Sequence, residues 1–220
     1  MTHYFSENND RLKSRPQTIK CVVAGKSYVF VTDIGVFSKG GLDFGTRLLL
    51  ETVLPFAKGS ILDLGCGYGP IGIIVSGNKE TQVTMTDINR RALELSRENA
   101  STNRSNPKIL QSDGFQAIKG TFDLILTNPP VRAGKDTIYS WFEDAMSHLN
   151  PEGSLIFVLR KDQGAPSAIR FCEDLYPEVA IINKKSGYFV IRCKKDLTIC
   201  HLGDKIFKCD RMRIFAFFAF

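Results

Sequence analysis

The chain has 220 residues, 43% apolar and 24% charged, with a formal net charge of +6. That size and balance fit one α/β domain with some added structure and exclude a wholly disordered chain. There is no apolar run long enough to span a bilayer, and Met1-Thr-His-Tyr-Phe-Ser holds no apolar signal core, so neither a transmembrane helix nor secretion is expected.

In chain order, residues 1–18 are polar and read as a mobile arm. Ile19–Ala24 and Tyr28–Thr32 are two β-prone runs around Gly25-Lys26, a hairpin signal. A glycine-rich loop, Gly35 to Asp43, precedes Leu48, Leu49, Leu50, Val53, Leu54 and Phe56, whose spacing predicts a helix that Pro55 and Gly59 help to end. From residue 60 the pattern is regular. Strands are expected at Ser60–Leu64, Gln82–Thr86, Lys108–Gln111, Phe122–Thr127 and Ser154–Leu159, with helices at Ile71–Val75, Asn89–Asn103, Ile138–Leu149 and Ser167–Leu175. In the fourth strand-helix unit, Trp141, Phe142, Ala145 and Met146 share one helix side. Val179–Ile182 and Tyr188–Cys193, joined by Asn183 to Gly187, read as a closing hairpin. Alternating strands and helices imply a mostly parallel sheet covered on both faces, with antiparallel strands added at one edge. The chain therefore divides into an arm, hairpin and covering loop and helix (1–58), an α/β core (59–195), and a basic, aromatic tail (196–220) that the pattern assigns to no element.

The positive charge suits an RNA partner through phosphate attraction, and equally an ordinary basic protein. Six cysteines include no C-x-x-C pair, and the cluster of Cys193, Cys200, His201 and Cys209 matches no zinc spacing. Reduced thiols, a cytoplasmic location and no bound metal are expected.

Ile61-Leu-Asp63-Leu-Gly65-Cys-Gly67-Tyr-Gly69-Pro70 joins a strand to a helix. Its glycines permit a sharp turn and a close ligand approach, and Pro70 suits a first helical position. A purely structural turn is the alternative. The dinucleotide fingerprint G-x-G-x-x-G fails because Pro70 stands at its third glycine. Asp63 repels a pyrophosphate but attracts the ammonium of a methionine moiety. S-adenosylmethionine therefore suits the loop better than a nicotinamide dinucleotide. Asp87, followed by Ile88, ends the next strand, where a carboxylate can accept from both ribose hydroxyls; it can also cap the following helix. Asp113-Gly114 follows the third strand. Asp113 can accept from an adenine amino group beside Phe115, or simply form an Asp-Gly turn.

Asp123-Leu-Ile-Leu-Thr-Asn128-Pro129-Pro130-Val131 is the most specific stretch. A buried strand ends in a loop stiffened by two prolines. The Asn128 side-chain carbonyl and a backbone carbonyl, expected to be that of Pro129, offer two acceptors to an NH2 group with two donors. Holding both N–H groups draws an exocyclic nitrogen toward tetrahedral geometry and aims its lone pair at a methyl sulfonium. A strand-ending turn is the plain alternative, but carboxyl ends of parallel strands are where such sheets bind ligands.

With these residues in view, the chain resembles the catalytic domain of small-subunit ribosomal RNA guanine-N2 methyltransferases, and more closely their short single-domain bacterial relatives. The resemblance spans about residues 3–195. Gly35-Val-Phe-Ser, Leu42-Asp-Phe-Gly45, Leu62 to Gly72, Leu126-Thr-Asn-Pro-Pro-Val-Arg-Ala-Gly-Lys135 and Lys161-Asp-Gln-Gly-Ala165 carry it. It implies a Rossmann-like class I fold with a seven-stranded, mostly parallel sheet and a C-terminal antiparallel hairpin. It implies cofactor contacts from the 37–45 loop (Phe37, Asp43, Gly45), Asp63, Gly65, Gly67, Gly69, Asp87, Ile88, Asp113, Gly114 and Asn128, with Asn128, Pro129 and Pro130 holding the amino group. Val131, Arg132, Lys135 and Lys161 are then expected to meet the base or RNA phosphates; a solvated basic surface is the alternative. The full-length guanine enzymes resemble a duplication, of which this chain matches the catalytic copy. Val131 stands where adenine-N6 and glutamine-amide methyltransferases usually place an aromatic residue, which argues against those substrates. A non-catalytic RNA-binding or ribosome-assembly factor on the same fold is a further alternative.

Overall fold

The computed structural model describes residues 13–36 and 41–196; the arm before residue 13, Phe37 and the tail from residue 197 lie outside the described residues. β1 (Gln17–Val23) and β2 (Lys26–Thr32) form a separate two-stranded hairpin. Its turn is Ala24-Gly25, one residue earlier than expected, with φ of 47° and 75°. A two-residue turn that follows strand twist needs both central residues in that left-handed region. α1 (Phe44–Val53) starts four residues before the predicted Leu48 because Asp43 caps it, accepting from Thr46 N at 3.0 Å.

The core runs β3 (Gly59–Leu64), α2 (Pro70–Val75), β4 (Thr81–Asp87), α3 (Arg90–Thr102), β5 (Lys108–Gln111), β6 (Phe122–Thr127), α4 (Lys135–Ser147), β7 (Leu149–Arg160), α5 (Ala165–Leu175), β8 (Glu178–Lys185) and β9 (Tyr188–Lys194). These strands make one seven-stranded sheet in the order β5-β4-β3-β6-β7-β9-β8. β3 to β7 run parallel, and β9 pairs antiparallel with both β7 and β8. The order reverses direction between β3 and β6, the place where open α/β sheets leave a crevice.

Strand alternation sorts the buried residues into two layers. Ile61, Leu124, Leu126, Ile156 and Val158 pack under α1, α2, α3 and the hairpin. Leu62, Leu64, Ile125, Leu155, Phe157 and Leu159 pack under α4 and α5. Burial on both faces explains why these strands read as continuous apolar runs.

Two boundaries differ from expectation. Asn150-Pro-Glu-Gly153 reads as a break, yet β7 runs through it from Leu149, with Glu152 at φ 63° and a register shift against β6 between Phe122 and Leu124. The bulge absorbs the turn residues without ending the strand. In the closing hairpin, Asn183, Lys184 and Lys185 belong to β8, and the turn shrinks to Ser186-Gly187, φ 50° and 79°.

The β1–β2 hairpin is held by two asparagines one helical turn apart on α3. Asn103 accepts from Val29 N at 3.0 Å and donates to Val29 O at 2.7 Å; Asn99 does the same with Val31, at 2.6 and 2.8 Å. A helical step of four residues rises about 6 Å, close to two residues of strand, so the two amides act as a neighbouring strand. Asn99 also donates to Tyr68 O at 2.9 Å, tying the hairpin to the glycine turn after β3. Among the described residues, no helix is long and apolar enough to cross a membrane.

Candidate functional site

At the carboxyl ends of β3, β4, β5 and β6 lies a cavity of about 280 Å³. Of the sequence-predicted residues, Gly65, Gly67, Asp87, Ile88, Asp113, Gly114, Asn128, Pro129 and Pro130 line it. Phe37 lies outside the described residues, and the other predicted residues stand elsewhere, for identifiable reasons.

The three loop glycines have separate jobs. All have positive φ, 71° at Gly65, 58° at Gly67 and 96° at Gly69. A Cβ on Gly69 would stand 2.7 Å from the Met85 methyl and 2.8 Å from Ile73, so this glycine seats the turn on the core. A Cβ on Gly65 would meet the Trp141 ring at 3.0 Å. On Gly67 it would meet nothing within 4 Å, because that residue faces the cavity. The loop thus has a cradle that a side chain would fill, as a ligand approaching the backbone needs.

Asp87 stands beside this cradle. Its Oδ2 accepts from Gly67 N and its Oδ1 from Asn89 N, both at 2.8 Å. Burial pushes its carboxyl up to about 6, against these backbone N–H groups. The capping role open to Asp87 falls instead to Asn89, which caps α3 by accepting from Ala92 N at 3.2 Å. Asp87 therefore keeps lone pairs toward the cavity.

Asp63 is the clearest departure. Strand alternation turns it away from the cavity wall and under α2, where it is fully buried. Its Oδ2 accepts from Gly72 N at 2.8 Å, anchoring the start of α2, while Oδ1 has no protein partner. Burial pushes this carboxyl up to about 7, and the nearby Asp87 charge adds to the shift. Both raised carboxyls hold protons in the folded chain that the unfolded chain has released at the same pH, from near 4 up to 6–7. Stability contributed by this pair is complete below pH 4 and is lost as pH rises through the folded values. We expect Asp63→Asn, which still offers an oxygen to Gly72, to keep about 2 kcal/mol that the wild type loses between pH 5 and 8. Thermal unfolding across that range measures it, and parallel curves for the two proteins would refute it.

Asp113 is exposed on the cavity rim and opens a turn, Gln116 N donating to its carbonyl at 3.1 Å. Phe115, expected beside the ligand, is buried below and packs on the His148 ring at 4.6 Å. The aromatic wall is Trp141, whose indole nitrogen lies 2.8 Å from a Cβ built on Gly114 and whose ring edge closes on Gly65. Spacing groups Trp141 with Phe142, Ala145 and Met146; Phe142 and Ala145 are buried on α4, while Trp141 packs partly on the same layer and also lines the cavity. Its being the only tryptophan was the one available signal. Val36, Thr46, Ala133 and Thr137 also line the cavity and carried no signal of their own.

Asn128 directly follows β6, with its NH2 group engaged twice. Nδ2 donates to Asp43 Oδ2 at 3.0 Å and to Thr46 Oγ1 at 2.9 Å. Asp43 does not line the cavity; it caps α1 and holds Asn128. Gly45 is buried, and a Cβ there would meet the Tyr188 ring at 2.9 Å, so it lets α1 close on β9. Val131 packs partly buried against the α4–α5 layer. Arg132, Lys135 and Lys161 are exposed, directly after β6 or β7, on the same edge of the sheet as the cavity. Lys161 N donates to Gly187 O at 2.8 Å, which brings the tip of the closing hairpin to that edge. Among the described residues, no three His, Cys, Asp or Glu side chains gather as metal ligands.

Residues 27–192 match the family model of the methyltransferase small domain. The uncharacterized protein YbxB of Bacillus subtilis (strain 168) is 48% identical over 198 residues, covering 88% of this chain and 98% of that protein. Ribosomal RNA small subunit methyltransferase C of Haemophilus influenzae (strain PittEE) is 40% identical over 161 residues, 71% of this chain and 49% of that protein. The chain thus spans about half the length of these named methyltransferase relatives. Among solved structures, the 16S rRNA N2 G1207 methyltransferase of T. thermophilus, in complex with AdoMet and guanosine, superposes with a TM-score of 0.75 at 24% identity, covering 84% of this chain and 52% of that one. The seven-stranded sheet is that of the Rossmann-like class I methyltransferases.

Proposed function

Because the chain belongs to the methyltransferase small domain family, we propose that it methylates an exocyclic amino nitrogen, the N2 of a guanine in ribosomal RNA, using S-adenosylmethionine. One observation carries the reading: the Asn128 amide is held by its NH2 group, so the acceptor carbonyl is the end left for a ligand at the cavity. The relatives' names supply the base and the RNA. Val131 in place of an aromatic residue agrees with guanine over adenine.

The cavity fits the cofactor. Gly67 leaves its backbone bare, Asp87 offers carboxylate lone pairs for two ribose hydroxyls, and Trp141 and Ile88 give apolar walls for an adenine whose amino group can donate to Asp113. When bound, S-adenosylmethionine supplies a methyl carbon made electrophilic by its sulfonium. Asn128 Oδ1 and the Pro129 carbonyl accept from the two N–H groups of the target, which pulls its lone pair out of ring conjugation and toward that carbon. Arg132, Lys135 and Lys161, with Lys184 and Lys185 on the hairpin tip, hold phosphates of the RNA; we place the reaction in the cytoplasm.

Incubation with methyl-labelled S-adenosylmethionine and unmodified small-subunit RNA, followed by nucleoside analysis, tests the reading. Label in N2-methylguanosine supports it. Label in another amino group moves the substrate, and no transfer despite cofactor binding favours an assembly role. Gly67→Ala addresses the cofactor pose: its methyl enters the cradle, and we expect S-adenosylmethionine affinity to fall about tenfold or more, for about 1–2 kcal/mol of backbone strain. Quenching of the single tryptophan, Trp141, at the cavity wall reads the affinity. Undiminished binding in this variant would exclude the cofactor from Gly67.

A further inference from the structure

We infer that Asp43 and Thr46 are positioning residues that fix the polarity of the Asn128 amide, and so restrict the site to substrates that donate N–H. The inference rests on the reading of Asn128 as the amino-group site. A carboxylate can only accept hydrogen bonds. The end of Asn128 that faces Asp43 is therefore its NH2 group, whatever ambiguity an amide carries by shape alone. Thr46 Oγ1 takes the other N–H at 2.9 Å, so both donors are consumed. Turning the amide over would put its carbonyl against the Asp43 carboxylate, an unfavourable contact in a part-buried site.

The geometry is built from far apart in the chain. Asp43 Oδ2 accepts from Thr46 N and from Asn128 Nδ2, each at 3.0 Å, so one oxygen both starts α1 and orients a residue 85 positions away. Thr46 is buried on the first turn of α1 and lines the cavity with Asn128. Gly45 between them allows close contact with Tyr188, seating this turn against β9. The cap of α1 and the polarity of the reaction site are thus the same interaction.

Paired variants separate positioning from capping. Asp43→Ser keeps a good cap but is too short to reach Asn128 as well; Asp43→Asn can place its side-chain oxygen where Oδ2 stands and serve both. Thr46→Val removes the hydroxyl acceptor at nearly constant volume, and Thr46→Ser restores it. We expect Asp43→Ser and Thr46→Val each to lower kcat about tenfold or more, with S-adenosylmethionine affinity by Trp141 quenching changed less than about threefold. Asp43→Asn and Thr46→Ser should recover most of the rate. Equal rates for the Ser and Asn variants at 43, with Tm values also equal, would reduce Asp43 to a cap and overturn the inference. Absence of transfer by the wild type to any amino-bearing nucleoside would instead overturn the functional reading on which it rests.

Discussion

Asn128→Ala is expected to lower kcat for methyl transfer by about a hundred- to a thousand-fold while leaving S-adenosylmethionine affinity within about threefold of the wild type. On the proposed reading the variant removes one of the two acceptors that hold the target NH2 group, and removes it at the reacting nitrogen, where charge changes most between ground and transition states. In the proposed pose the cofactor contacts come mainly from the Gly67, Asp87 and Asp113 loops, which line the cavity and which the substitution leaves in place. Loss of the side chain also frees Asp43 and Thr46, but Asp43 is only partly buried and still caps α1, and Thr46 lines the cavity. The fold should therefore survive, and Tm should move little. Asn128→Asp sharpens the test, since it keeps the shape and an acceptor but sets a carboxylate against that of Asp43. It should be no more active than Asn128→Ala near neutral pH. A rate for Asn128→Ala close to that of the wild type would remove the amino-group site from this residue.

What the sequence could show was what is local. The glycine turn and Asn128-Pro-Pro sit directly after strands and Asp87 is the last residue of one, and strand ends on one edge of a parallel sheet converge whatever the distant packing does. Lys108–Gln111 and Phe122–Thr127 match their expected bounds because turn residues flank short apolar runs. What it could not show depended on facing. Asp63 and Asp87 both stand near the carboxyl end of a strand, yet alternation along β3 turns Asp63 under α2 while Asp87 closes β4 beside the cavity. The partners of Asn128 are 82 and 85 residues away, beyond any spacing rule. Spacing places Trp141 on one helix side with Phe142, Ala145 and Met146, but cannot show that Trp141, packed partly on the core layer, also walls the cavity. Residues 149–153 join β7 although Asn150-Pro-Glu-Gly153 reads as a break, because Pro and Gly mark turns on average and a bulge lets a paired strand carry them.

Gly59→Ala should be the most damaging single methyl in the described sheet, costing about 3 kcal/mol or more and lowering Tm by about 6–12 °C, without changing the chemistry at temperatures where the variant is folded. Gly59 opens β3 with φ 75°, so any side chain there is strained. Its Cβ would also collide with Asp123 Oδ2. That oxygen cannot simply retreat. It accepts from Ser60 N at 2.7 Å and Ser60 Oγ at 2.9 Å, and Asn150 donates to the other oxygen at 2.8 Å. The Asn150 hydrogen bond, with those from Ser60, holds the Asp123 carboxyl below the usual carboxylate range. Its stabilisation is present above the unfolded value and lost as pH falls through the folded one, opposite in sign to that of Asp63 and Asp87. Adding Asp123→Ala to Gly59→Ala removes the clash, so the double variant should lose less than the sum of the two single losses, a coupling that denaturant melts can measure. Strict additivity would show that the clash is relieved by backbone movement instead. The knot of Gly59, Ser60, Asp123 and Asn150 lies at the amino ends of β3 and β6, and the cavity lies at their carboxyl ends. Parallel strands thus give this sheet one edge that fastens it and one that does chemistry, and substitutions at the two should separate cleanly into losses of Tm and losses of kcat.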